Sequence, residues 1–302
     1  MWKRFRESFF LYSFLRDPIA LGSFIILAVL LFMAVFAPLL ATQNPYDGKQ
    51  INILDAEIAP IWVSGEGKFL LGTDAQGRDI WSTILYGTRV SLLIGIGAVA
   101  LQAGLGILVG LVSGYKGGKI DSILMRITDV QLSFSSYMVA IFFGAILQTA
   151  LGVGGYAKIA LPFLIFVIGI SEWPQYARTV RASVLAEKRK EYVEAARVIG
   201  LKPSRIMWRH ILPNTLTPVL VISTVQVANA VMSEAALSFL GLGMPATQPS
   251  LGSLIKSGFT YVLSGSWWIT LFPGLVLVLL VLSINLLGDW LRDFLNPKLY
   301  KD

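Results

Sequence analysis

Six apolar runs restrict what this chain can fold into. A helix that crosses a bilayer needs about 20 mostly apolar residues. Runs of this character are read at Ile19–Leu40, Val90–Ser113, Ser122–Leu147, Ile159–Glu172, Leu216–Leu237 and Ile269–Leu287. Charge content agrees with them. Only 14% of the residues are charged, against about 25% in an average soluble domain, too few to coat a globule of 302 residues. The mean hydropathy of +0.68 points the same way. The expected fold is all-α and integral to the membrane, with six transmembrane helices.

The first run follows a basic, aromatic start, WKRFRESFFLYSFLRDP, which suits a segment lying in the interface. The run is longer than a signal-peptide core of about 7–15 residues and no A-x-A site follows it, so it reads as a retained helix. Lys and Arg then orient the chain. Four lie in the N-terminal segment, three in the 114–126 turn, nine in the 172–215 loop and three in the C-terminal tail, giving 19 on one side and six on the other. The positive-inside rule places both termini and the 172–215 loop in the cytoplasm. The expected divisions are an interfacial segment at 1–18, a first transmembrane helix at 19–40, a periplasmic loop at 41–88, a five-helix core at 89–289 and a cytoplasmic tail at 290–302. The net charge of +7 therefore belongs to membrane topology and not to nucleic-acid binding. With no cysteine and a single histidine, His210, the chain offers no disulfide framework, thiol nucleophile or histidine-rich metal site.

A charged stretch, EYVEAARVIG at 191–200, interrupts the apolar pattern. Glu191 and Glu194 near its start and Arg197 near its end complement a helix dipole, and Gly200 can take the left-handed conformation that stops a helix. Pro203 suits the start of a second helix, ended by Pro213. The resulting helix–glycine–helix unit, with Ala195 and Ala196 forming a flat face, suits docking into a groove of a partner. An amphipathic loop on anionic headgroups is the plainer alternative.

On the fifth run, Ser223, Gln226, Asn229 and Ser233 fall within an arc of about 120°, with Glu234 at its edge. Such a stripe either lines an aqueous path or bonds to neighbouring helices. The alternative for Glu234 is an outer-end position reaching the interface. Gly106, Gly110 and Gly114 form a small-residue stripe, read as close packing inside the bundle rather than contact with a second subunit. Arg126 and Asp129 are expected to pair. Pro174 is expected to kink or end the fourth helix. Asp74, Arg78 and Asp79 are expected in a solvated loop. No Walker A, G-x-S-x-G or H-E-x-x-H pattern occurs, so the chain should not hydrolyse ATP.

Glu194-Ala195-Ala196, Gly200 and Ile211-Leu212-Pro213 resemble the EAA loop of ABC importer permeases, with His210 standing where that pattern has isoleucine. Further stretches, LGTDAQGRD at 71–79, YGTRVSL at 86–92, SFLGLG at 238–243 and NLLGDWLRDFLNPKL at 285–299, resemble the C-type permease of the dipeptide/oligopeptide/nickel importers. PATQPSLG at 245–252 departs from that group's pattern, which bears on the substrate. The resemblance implies a type I ABC importer permease fold and a coupling loop at about 187–213 docking on cytoplasmic ATPases, with Glu194, Ala195, Ala196 and Gly200 at the matching positions. It also implies a homologous B-type permease, two ATPase subunits that bind the ATP and Mg, a periplasmic substrate-binding protein and no cofactor in this chain. Peptides are the expected substrate, with nickel, glutathione or oligosaccharide as alternatives within the same importer class. A secondary transporter would call for several intramembrane carboxylates and paired repeats; a membrane enzyme would call for a cluster of reactive groups.

Overall fold

The computed structural model describes residues 9–65 and 68–295. The basic residues expected at positions 3, 4 and 6 and the end of the tail lie outside these. Thirteen α-helices matter here: α1 Phe9–Arg16, α2 Pro18–Val35, α3 Ala37–Leu40, α4 Ile61–Ser64, α5 Ile80–Lys116, α6 Gly118–Ser133, α7 Ser136–Gly152, α8 Gly154–Glu187, α9 Glu191–Val198, α10 Pro203–Ile206, α11 Leu212–Phe239, α12 Leu251–Phe259 and α13 Trp268–Phe294. Among the described residues, five segments are long and apolar enough to cross a membrane unaided. α6 and α7, bent by 76° at their junction, meet the same length and composition criteria only as a pair and make a sixth candidate crossing. Phe134 and Ser135 are extended there, inside a Ser-Phe-Ser-Ser run. The break was not expected, because the apolar character of the sequence continues on both sides of it.

Most of the helices outrun their apolar runs. α5 starts at Ile80, ten residues ahead of the expected Val90, because Asp79 caps it by accepting from the amides of Trp81 and Ser82. Residues 80–88 are therefore helical and not loop. α8 passes through Pro174 and runs on to Glu187. Proline removes one amide and its ring crowds a single carbonyl, while Tyr176, Ala177, Val180 and Val184 beyond it are buried against α5 and keep the helix going. Pro213 does not end its helix either. A π-helical turn at Met207–Ile211 joins α10 to α11, with the Leu212 amide donating to the Met207 carbonyl. The wider turn accommodates the proline that follows it.

The contact of α5 with the α7–α8 pair is the most extensive between helices, and the α5–α8 seam lies within it. That seam rests on the glycine stripe: a Cβ on Gly106 would stand 2.2 Å from Tyr176 Cβ, one on Gly110 2.5 Å from the Ala177 carbonyl oxygen, and one on Gly114 2.9 Å from Val184 Cβ. The stripe thus packs within the chain, as expected. Around this seam Ile94, Leu111, Leu164, Val180, Ile206 and Ile211 form one core, and Leu30, Leu92, Val231, Leu280 and Ile284 from α2, α5, α11 and α13 form another. α2 turns Phe24, Ile25, Val29 and Phe32 outward, a contiguous apolar face suited to lipid.

Two side-chain expectations are corrected. Asp129 accepts from Arg178 of α8 at 2.6 Å and not from Arg126, since a long side chain on the packed neighbour reaches it. Asp74, Arg78 and Asp79 are buried and not solvated. Arg78 Nε donates to Asp74 Oδ2 at 2.7 Å and its Nη1 to the Ala246 carbonyl at 2.8 Å. Trp268 Nε1 donates to the Thr73 carbonyl. The 71–79 segment is a folded plug binding the start of α5 to the 240–250 loop and α13. Gly72 and Gly77, both left-handed, make it possible: a Cβ at either would strike the backbone of residues 52–60.

Candidate functional site: a loop helix and a polar cavity

The end of the bundle opposite the 71–79 plug carries α9. Val193 and Ala196 turn inward onto Ile206, Met207 and Ile211. Tyr192 OH donates to Glu187 Oε2 at 2.5 Å and accepts from Asn214 Nδ2 at 3.1 Å, tying α9 to the end of α8 and the start of α11. Burial, then the Glu187 carboxylate, hold the Tyr192 phenol above its usual range, so it remains a donor. The helix closes as a Schellman motif. The Leu201 amide donates to the Ala196 carbonyl, the Gly200 amide donates to the Arg197 carbonyl, and Gly200 has φ +80°.

Glu194 and Ala195 lie on the exposed face of α9, but Ala196 does not: it is 5% exposed and belongs to the core. The two alanines are neighbours about 100° apart on the helix and cannot share one flat face. The exposed apolar surface comes instead from Val198 and Ile199, 88% and 76% exposed. Sequence reasoning passed over them, though two β-branched residues directly before a helix-stopping glycine are a readable signal.

The polar stripe of α11 divides. At about 100° per residue, Gln226, Asn229 and Ser233 occupy directions of about 240–300° measured from Ser223, while Glu234 falls at about 20°. The first three line a cavity of about 320 Å³. Ser223 and Glu234 do not, because their shared edge turns into the bundle. Ser223 Oγ accepts from Tyr176 OH at 3.0 Å. Glu234 is fully buried, accepting from Ser91 Oγ at 2.8 Å and Ser238 Oγ at 2.6 Å. It reaches neither the cavity nor an interface. Ser91 in turn accepts from the Leu251 amide, so Glu234 pins α11 to α5 and α12.

Other helices complete the cavity, and sequence reasoning missed them. Ser136 comes from the start of α7, Glu172 and Gln175 from α8, and Gln102 from α5. Glu172 accepts from Ser136 Oγ at 2.5 Å and Gln175 Nε2 at 2.8 Å. Among the described residues, no cluster of His, Cys, Asp and Glu could hold a metal.

Comparison with known proteins bears on this arrangement. Residues 106–301 match the family described as binding-protein-dependent transport system inner membrane component, and residues 1–60 match the N-terminal transmembrane domain of oligopeptide transport permease C. The chain is 37% identical to the di/tripeptide transport system permease protein DppC of Pseudomonas aeruginosa, covering 95% of this chain and 90% of the relative. It is 35% identical to the oligopeptide transport system permease protein OppC of Bacillus subtilis, covering 95% and 88% respectively. Its fold resembles a chain of the MetNI methionine ABC transporter in an inward-facing conformation. The TM-score is 0.55 at 20% identity, over 71% of this chain and 97% of that one. The chain belongs to the family of inner-membrane components of binding-protein-dependent transport systems: it is a multi-pass permease subunit of an ABC importer and not a catalytic enzyme.

Proposed function

We propose that this permease subunit carries short peptides, delivered by a soluble binding protein, through a pathway shared with a homologous B-type permease, and that α9 couples it to two cytoplasmic ATPase subunits. The substrate class rests on relatives described as dipeptide and oligopeptide permeases over nearly the whole chain. The excess of Lys and Arg supports an orientation with both termini and α9 in the cytoplasm. ATP and Mg are bound by the partner ATPases, and Gln226, Asn229 and Ser233 line the path.

The observation that carries the coupling role is the build of α9. Its inner face is locked into the core by Val193 and Ala196, its end is fixed by Gly200, and Val198 and Ile199 stand out of the bundle. A helix rigid on one side and apolar at its exposed tip suits a groove in a partner. Because the same helix is tied to α8 and α11, closing the ATPases can bias the bundle between two states. Co-purification tests this. The tagged chain is expressed with ATPase subunits encoded beside it and compared with a Glu194→Arg, Gly200→Val variant. The Cβ at position 200 would meet nothing within 4 Å, so the valine's strain comes first from the φ of +80°. The ATPase should accompany the wild type and be lost from a membrane-inserted variant. A folded wild type that carries no ATPase would reject the reading.

A further inference from the structure

The cavity on α11 has a chemistry that path-lining alone does not explain. Gln102 and Gln226 line it, are 1% and 2% exposed, and each has one buried side-chain atom without a hydrogen-bond partner among the described residues. Their orientations are set by their other ends. Gln102 Nε2 donates to the Ile168 carbonyl at 3.3 Å, leaving Oε1 unbonded as an acceptor. Gln226 Oε1 accepts from Asn229 Nδ2 at 2.7 Å, leaving Nε2 unbonded as a donor. A buried amide atom left unpaired is costly, so two residues with such atoms in the wall of one cavity are a reason to look for a ligand. The third group is Glu172, whose partners are both neutral: Ser136 and Gln175. No Lys or Arg pairs with it among the described residues. An ionisable side chain at the end of an apolar run, lining a polar cavity between helices, is a candidate functional group.

The residues lining the cavity thus include a carboxylate, an unpaired amide acceptor and an unpaired amide donor, the last two sealed in its wall. We infer that the cavity is a substrate subsite for the amino-terminal end of a short peptide. Glu172 provides the counter-charge for the terminal ammonium, and the Gln102 acceptor and Gln226 donor take the N–H and C=O of the first peptide unit. The volume of about 320 Å³ lies at the lower end of the roughly 300–1,000 Å³ of small-molecule sites, which suits one end of a peptide. This inference rests on the peptide reading above and adds to it a polarity of binding and a selectivity for positive charge.

The test uses the complete detergent-purified complex, with partner permease and ATPases but without the binding protein, so that the binding protein's own selectivity cannot contribute. The probes are alanyl-p-azidophenylalanine and its N-acetyl form, photo-crosslinked in nucleotide-free and ATP-bound complexes. The free-amine peptide should label this chain at least tenfold more than the acetylated one in one of the two states. Glu172→Gln should abolish that preference and Glu172→Asp should retain it, with subunit stoichiometry unchanged in both. A Glu172→Gln complex that loses the partner permease would overturn the subsite, because Glu172 would then be an interface ion-pair residue. Equal labelling by both peptides, labelling by neither, or a preference surviving in Glu172→Gln would also overturn it. Peptide uptake by the wild-type complex with its binding protein separates the two claims. Uptake with a failed labelling test rejects the subsite alone; no uptake of any peptide rejects both.

Discussion

Adding a single methyl group at Gly106 should loosen the whole α5–α8 seam. The new Cβ would lie 2.2 Å from Tyr176 Cβ and 2.9 Å from both the Ala177 amide nitrogen and the Trp173 carbonyl oxygen. Ordinary carbon–carbon contact is about 3.5–4.0 Å, so the helices must part by roughly 1.5 Å. None of the three obstructing atoms is the far end of a flexible side chain that could step aside. A gap of about 0.5–1 Å already forfeits a quarter to a half of each dispersion contact, and the loss extends along the seam because helices move as rods. Overpacking costs typically about 1–3 kcal/mol, and a clash with backbone belongs at the upper end. At about 2–4 °C per kcal/mol for a chain of this order of size, Gly106→Ala should lower the melting temperature by roughly 6–12 °C. Gly110→Ala, with its nearest atom at 2.5 Å, should cost less, and Gly114→Ala, at 2.9 Å, less again. Gly104→Ala is the control, since its Cβ would meet nothing within 4 Å, and it should not lower stability. Intrinsic fluorescence of the eight tryptophans during heating in mild detergent reads all four variants. A Gly106→Ala protein melting with the wild type would refute the close packing. If such a protein also lost its partner permease, the stripe would instead be a contact between subunits.

Two further expectations concern the 41–79 region. Arg78→Met should destabilise the chain by about 3–5 kcal/mol, the cost of stranding one member of a buried ion pair, because both side chains of the Arg78–Asp74 pair are under 5% exposed. Adding Asp74→Asn should recover part of that loss by removing the stranded charge, and melting curves for the single and double variants that coincide would contradict this account. Tyr46 ionises late: burial, then the neighbouring Tyr86 phenol, push its pKa up to about 12. A phenol that resists ionisation in the folded state contributes stability that is whole below its ordinary pKa of about 10 and is lost as pH rises toward 12. An absorbance titration should therefore show one fewer late-ionising tyrosine in Tyr46→Phe, and superimposable curves would count against the assignment.

Sequence and tertiary structure settled different parts of this protein. Membrane insertion, the all-helical class and the approximate positions of the crossings were legible, because apolar length is a property of a local window. So was α9, since its acidic first turn, basic last turn and terminating Gly200 all act within a few residues of one another. The glycine stripe was legible for a related reason: spacing of four along a helix fixes a common face whatever lies opposite. Other features depended on partners far along the chain. Asp74 and Arg78 look like solvated loop charges until the Ala246 carbonyl and Trp268, some 170–195 residues away, close over them. Glu234 and Gln226 are near neighbours on one helix. Only the placement of α5, α8 and α12 decides that the first is a sealed pin and the second a cavity wall. Glu172, unremarkable in sequence beyond marking the end of an apolar run, becomes the one carboxylate of that cavity because α7 bends back beside α8. Periodicity gives the direction a side chain takes from its own helix axis. What it meets there is fixed by how the helices pack, and that packing determines whether a polar group is a structural pin, a binding group or an exposed charge.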